Sequence, residues 1–148
     1  MDTLRILLTA FLALTMTLSA RADCVKGNCT DGEGDYEWID GTRYNGQWKD
    51  DRQHGSGVMT WPNGDTYNGQ WNEGLRHGRG VYVKKNGFSY EGDWKKGKPD
   101  GRGVMKWPNG DTYTGGFKNG VRHGNGTYRT KGGKSMAGKW ENDRFAGF

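Results

Sequence analysis

Three histidines, each directly followed by a glycine, are the residues of this 148-residue chain that most invite a chemical role. His54, His77 and His123 recur on a 23-residue spacing, and Asp100 holds the place between the second and the third. Imidazoles in a row with a carboxylate are a familiar donor set for a transition metal. On successive hairpins, however, equivalent positions lie two strands apart, about 9–10 Å, whereas ligands of one zinc ion stand about 2.0–2.1 Å from it. No metal site is therefore expected, and each His should hydrogen-bond the turn beside its glycine. Catalysis has no better footing. The chain carries no Gly-x-Ser-x-Gly, zinc-protease or phosphate-loop pattern. Its acidic residues mostly fall at turn or outward positions, so no catalytic residue, cofactor or small-molecule substrate is expected.

Two further sets remain. Cys24 and Cys29 are the only cysteines, and in an exported chain an even count favours a disulfide. A half zinc site is the alternative, but Cys-x4-Cys lacks the other two ligands. The second set is basic: Arg52, Arg76, Arg79, Lys98, Arg102 and Arg122 lie near successive His-Gly segments, and Lys84-Lys85 and Lys95-Lys96 add two pairs. Along one loop edge these ten could attract phosphates or acidic partners. Glu73, Asp50, Asp51 and Asp100 are interspersed, which equally describes an ordinary solvated surface. The full chain's net charge of +5 is mild. Nucleic acid is not expected, because the rings that might stack on bases are needed for packing.

What must position these residues is a repeat. Tyr44-Asn-Gly46-Gln-Trp48 returns as Tyr67-Asn-Gly69-Gln-Trp71, Tyr90-Glu-Gly92-Asp-Trp94 and Tyr113-Thr-Gly115-Gly-Phe117. A fixed period of this kind means one small supersecondary unit stacked several times. Alternation places Tyr44, Gly46 and Trp48 on one face of a strand, with Asn45 and Gln47 on the other. Gly57, Met59 and Trp61 alternate likewise. Trp61-Pro-Asn-Gly64-Asp and Trp107-Pro-Asn-Gly110-Asp signal tight hairpins whose Asn-Gly accepts positive φ. The place seven residues after each Tyr reads Asp51, Gly74, Gly97, Gly120 and Asp143, an exchange that marks left-handed backbone. Gly46 and its equivalents should leave room for rings to lie across the chain. The fold expected is all-β: a single elongated, twisted antiparallel meander of hairpins, with no helical domain in the mature chain.

Residues 1–22 read as a signal peptide cleaved after Ala22: Arg5 is its positive end, Ile6 to Leu18 its apolar stretch, and Ala20-Arg-Ala22 its small-x-small site. The apolar stretch is too short for a bilayer core of about 30 Å. An exported, periplasmic or extracellular protein is expected. Residues 23–30 would form an N-terminal cap, and 31–148 the array: a half-unit at 31–43, full units at 44–66, 67–89, 90–112 and 113–135, and a half-unit at 136–148.

The pattern Tyr-x-Gly-x-Trp-x-x-Gly-x-x-His-Gly-x-Gly at this spacing resembles the MORN repeat family (membrane occupation and recognition nexus). The resemblance spans Asp31 to Phe148 and departs at Asp51, Asp100, Phe117, Met136 and Ala146. It implies a non-catalytic interaction or scaffold module that meets a protein or peptide, a second copy of itself, or an anionic phospholipid surface. The partner groove would use Tyr44, Trp48, Tyr67, Trp71, Tyr90, Trp94, Tyr113 and Phe117.

Overall fold

The computed structural model describes residues 23–148; the expected signal peptide and its cleavage point lie outside the described residues. Twelve strands follow one another in a single antiparallel sheet, each paired with its sequence neighbours. They are β1 (Asp23–Gly27), β2 (Gly32–Glu37), β3 (Arg43–Lys49), β4 (Arg52–Thr60), β5 (Thr66–Asn72), β6 (Leu75–Val83), β7 (Ser89–Lys95), β8 (Lys98–Lys106), β9 (Thr112–Lys118), β10 (Val121–Arg129), β11 (Ser135–Glu141) and β12 (Arg144–Gly147). The meander of hairpins is the expected one.

The register explains the glycines. Gly34, Gly46, Gly57, Gly69, Gly80, Gly92, Gly103, Gly115, Gly126 and Gly138 pair in succession, a file running straight across the sheet. The tyrosines lie down over that file. A Cβ at Gly57 would stand 2.2 Å from the Tyr44 hydroxyl, and one at Gly80 2.3 Å from that of Tyr67. Folding a ring flat brings its hydroxyl to its own strand: Tyr44, Tyr67, Tyr90 and Tyr113 donate to the carbonyls of Gln47, Gln70, Asp93 and Gly116 at 2.9–3.1 Å. A buried phenol is thus satisfied within its own strand.

Edge-to-face contacts join the rings into one unbroken zigzag. Tyr44 touches both Trp48 and Trp71, with centroids 5.1 and 5.4 Å away, and Tyr67 touches Trp71 and Trp94 at 5.0 and 5.2 Å. Tyr90 bridges Trp94 to Phe117, and Tyr113 bridges Phe117 to Trp140. Each such pair is worth about 0.5–1.5 kcal/mol beyond its burial. The core is therefore a stripe, stabilised neighbour by neighbour. Trp48, Trp71, Trp94 and Trp140 also donate their indole N–H to Gly34, Gly57, Gly80 and Gly126, one hairpin back, at 3.0–3.2 Å.

The two kinds of hairpin end differ from expectation in one respect. Positive φ occurs at both central residues of Asp50-Asp51, Glu73-Gly74, Lys96-Gly97, Asn119-Gly120 and Asn142-Asp143, so these are the tight two-residue hairpins. At the opposite end only the glycine of each loop is left-handed, Gly41, Gly64, Gly87, Gly110 and Gly133, and not the asparagines before Gly64 and Gly110. Trp61 and Asp65 close a wider loop there, with Gly64 N–H donating to the Trp61 carbonyl at 2.9 Å. The Lys84–Phe88 loop makes the same bonds with Lys85 in the place of Pro62, so proline suits the first turn position without dictating the loop, and the glycine alone reverses the chain.

Candidate functional site

The eight rings expected to form a partner groove are instead the interior of the fold. Tyr44, Trp48, Tyr67, Trp71, Tyr90, Trp94, Tyr113 and Phe117 are all buried, at 0–7% exposure. The zigzag fills the space a ligand would need between the rings, although Phe117 also borders the concavity at the tight-turn end. Burial pushes the Tyr67 hydroxyl up to about 12 and raises those of Tyr44, Tyr90 and Tyr113 above the ordinary phenol range.

The ten basic residues do not share one edge. Lys84 and Lys85 sit at a wide-loop end, with Lys85 N–H held by Asp65 at 3.1 Å. Arg79 and Arg102 flank bulges on the open face, where Arg79 meets Asp93 at 3.5 Å. Arg76 and Arg122 lie over rings, their guanidiniums 4.3 and 4.4 Å from the centroids of Trp94 and Trp140. Arg52, Lys95, Lys96 and Lys98 remain at the tight-turn end.

The histidines do not hydrogen-bond the turns. No imidazole hydrogen bond occurs among the described residues, and the buried Nδ1 of His123 has no partner. The bulges beside His54-Gly55, His77-Gly78 and Asp100-Gly101 are filled by a different side chain, while the one beside His123-Gly124 faces Gly116 and is left unfilled. Gln47, Gln70 and Asp93 accept from the backbone N–H of Ser56, Arg79 and Arg102 at 2.8–3.1 Å. The amide or carboxylate reaches back across the missing ladder bond, which the imidazole cannot do from the neighbouring strand position. Among the described residues no cluster of His, Cys, Asp or Glu is arranged to hold a metal. Cys24 and Cys29 are joined as a disulfide.

Two surfaces are left for recognition. Opposite the rings, Asn45, Val58, Asn68, Val81, Glu91, Val104, Thr114 and Thr127 pair in succession, making a row across the sheet parallel to the glycine file. Val58, Val81 and Val104 are 36–42% exposed there, and the row borders a shallow concavity of about 760 Å³ that includes Gly80, Gly92, Gly103 and Gly115. The second surface lies at the tight-turn end, where Lys95, Lys96, Lys98 and Lys118 line one concavity with Asp100, Phe117 and His123. Sequence spacing alone missed Lys118, because only the packing of two hairpin tips brings it there.

The chain belongs to the MORN repeat family: the family's MORN repeat model matches residues 30–43, 44–66, 67–88, 90–112 and 113–134. No curated protein matches the chain. The repeats mark a binding or scaffold module of a generally non-catalytic family whose members commonly meet proteins or membrane lipids.

Proposed function

We propose that this protein is an exported, non-catalytic scaffold whose open sheet face receives a protein or peptide partner. The observation that carries this is the row from Asn45 to Thr127. Exposed valines alternate with amide, carboxylate and hydroxyl groups along the floor of an open concavity. The alternation offers apolar contacts and hydrogen-bonding groups at strand spacing. Export is supported by the leader-like first 22 residues and by the Cys24–Cys29 disulfide. A photo-reactive residue at position 81 should give one discrete cross-linked product in the native envelope, abolished by Val58→Arg or Val104→Arg. Cross-linking that is equally strong from position 84, at the loop end, would reject the face.

A second reading has its own support. The unpaired lysines at the tight-turn end favour attachment to an anionic phospholipid surface. Vesicle sedimentation should rise with the fraction of anionic lipid and fall with salt; indifference to both would dismiss it.

A further inference from the structure

Four bulges of one kind recur along the array, and one of them is empty. In the other three a side chain reaches back over the left-handed or extended glycine. A Cβ at Gly55 or Gly78 would stand 1.8 or 1.7 Å from the amide oxygen of Gln47 or Gln70, and one at Gly101 2.7 Å from the Asp93 carboxylate. Each of these side chains accepts from the backbone N–H that follows the glycine, that of Ser56, Arg79 or Arg102. In the fourth bulge Gly116 stands in the acceptor's place. It has no partner in β10, where the pairing passes from Arg122–Phe117 to Gly126–Gly115. A Cβ at Gly124 would meet nothing within 4 Å, so the volume that an amide or carboxylate fills elsewhere is vacant.

The groups around the vacancy are those of a filled bulge. Asn125 follows Gly116 by nine residues, as Ser56, Arg79 and Arg102 follow Gln47, Gln70 and Asp93. Among the described residues no side chain accepts from its N–H, since position 116 has none to offer. Two residues earlier in the chain, Nδ1 of His123 is the one buried side-chain nitrogen or oxygen without a partner among the described residues. The charges repeat as well. Asp93 pairs across the sheet with Arg79 and meets its guanidinium at 3.5 Å. Gly116 pairs in the same way with Arg102, and Asn125 pairs with Lys139. Both basic side chains are exposed and form no ion pair among the described residues. An arginine in register with an absent acid, beside an N–H with no acceptor, is the Asp93 arrangement without its carboxylate. Position 116 cannot supply one unless the backbone moves, because a Cβ there would stand 2.2 Å from the His123 carbonyl oxygen.

We infer that the empty bulge is a socket for a carboxylate, filled by an acidic side chain of the protein partner. The inference rests on the reading that this partner lies on the open face, and the socket opens onto that face. Arg102, Thr114, Gly115 and Asn125 line the same concavity as Val81 and Val104. A carboxylate that accepts from a backbone N–H beside a guanidinium makes charge-assisted contacts, about twice as strong as those of a neutral amide. The socket therefore selects glutamate or aspartate over glutamine or asparagine. It also fixes where the partner lies along the row, because the three equivalent places are occupied by the chain's own side chains.

Titration of the ¹⁵N-labelled protein with propionate, the glutamate side chain in isolation, tests the socket directly. A saturable downfield shift of the Asn125 amide is expected, with a Kd about millimolar or weaker for so small a ligand. Propionamide should bind about tenfold less tightly. Arg102→Gln/Lys139→Gln should erase that preference, whereas Lys84→Gln/Lys85→Gln makes the same change in net charge and should preserve it. Gly124→Asn puts a side chain into the vacancy at a left-handed position that asparagine tolerates, and should abolish the shift. Gln70→Gly empties a second bulge and should add a saturable propionate shift at the Arg79 amide. No saturation at Asn125, equal affinity for the amide, or a Gln70→Gly variant without a new site would overturn the socket. Cross-linking from position 81 in the native envelope then separates the socket from the face. A product that falls about tenfold in Gly124→Asn supports the acidic anchor; a product unchanged there overturns the anchor and leaves the face standing. No product from position 81 in the parent rejects the face and the partner's acid with it, even where propionate binds at Asn125.

Discussion

Arg76 and Arg122 occupy the same place two units apart, and the molecule holds them differently. Arg76 lies over Trp94, Tyr82 and Tyr67 at 4.3, 5.3 and 5.7 Å and donates to the Gly97 carbonyl at 2.9 Å. Arg122 lies over Trp140, Tyr113 and Trp107 at 4.4, 5.7 and 5.8 Å, but it is tied to Asp143, donating at 3.0 Å to the carboxylate and at 2.7 Å to the backbone carbonyl. Beside each is a matching acid–phenol pair, Asp65 with Tyr82 and Asp111 with Tyr128. In the alternate units the arginine place is taken by Gln53 and Pro99, and the phenol place by Met59 and Met105. The energetic unit of this array is thus a pair of hairpin repeats. What differs between the two pairs is their next neighbour: Tyr90 follows the first, 1% exposed, and Met136 follows the second, 43% exposed. Where the following unit has Met136 in place of the tyrosine, an ion pair closes the end.

The largest predicted effect dissolves both regions together. Desolvation raises the hydroxyls of Tyr67 and Tyr82 to about 12, and also raises Tyr113; the bond to Asp111 is the main cause of the rise at Tyr128. Above the ordinary tyrosine value of about 10, the unfolded chain releases protons that these rings keep in the fold. This contribution to stability is complete below pH 10 and is lost as pH rises through 12. Alkaline titration followed by circular dichroism should show cooperative unfolding in that window, with phenolate absorbance rising in step. Phenolate formation that precedes any loss of structure would show that the rings are not locked.

Next come the glycines under the rings, where the two pairs should separate. Gly80→Ala would set a Cβ 2.3 Å from the Tyr67 hydroxyl, and Gly126→Ala 2.1 Å from that of Tyr113. Local clashes are alike, and overpacking of this kind costs about 1–3 kcal/mol or more. In a quasi-one-dimensional array the central change breaks contacts on both sides, while the distal one can be relieved by freeing the last hairpin. Urea denaturation should show a lowered midpoint for Gly80→Ala, and for Gly126→Ala a smaller shift with a shallower transition. Equal shifts would mean that the sheet unfolds as one block.

Arg76→Met and Arg122→Met sharpen the contrast at a smaller scale. Removing Arg76 forfeits a desolvated cation–π contact worth about 2 kcal/mol and leaves the Gly97 carbonyl short of a donor. Removing Arg122 leaves a half-exposed Asp143 that water can solvate, so about 1 kcal/mol is expected. Thermal midpoints should rank the two in that order.

The order of these effects also shows what the sequence could and could not say. Alternation placed Tyr44 and Trp48 on one face, and the Gly–Asp exchange at 51, 74, 97, 120 and 143 marked left-handed backbone, because both are local properties of the chain. That the tyrosines lie flat on the glycine file, closing the face instead of lining a groove, depends on the pairing of Gly46 with Gly57 and its successors. No single strand carries that information. The bulges hid another assignment: a filled bulge needs a side chain that reaches back across the ladder, and Gln47 does so while His54 does not. The basic residues were grouped by nearness in sequence, but the lashing of neighbouring tips joins Lys118 to Lys95 and parts both from Lys84. Period reveals the unit and its faces; register decides which face is covered.

The smallest effect is expected at the opposite end from Arg122. The Cys24–Cys29 disulfide ties β1 to the turn leading into β2, and β1 is exposed along its whole length. Its loop is short, so by chain entropy it constrains the unfolded state by only about 2 kcal/mol. That restraint acts mainly on the terminal hairpin. Cys24→Ser/Cys29→Ser should leave the urea midpoint of the array nearly unchanged while amide exchange in β1 and the first part of β2 accelerates. Trp48 still donates to Gly34 at 3.1 Å across the β2–β3 pair, so the indole holds β2 to the array when the disulfide is gone. Should the midpoint fall as far as in Arg76→Met, the disulfide would be part of the array's cooperative unit, and closure at the two ends would differ in kind: covalent and coupled at β1, ionic and local at β12.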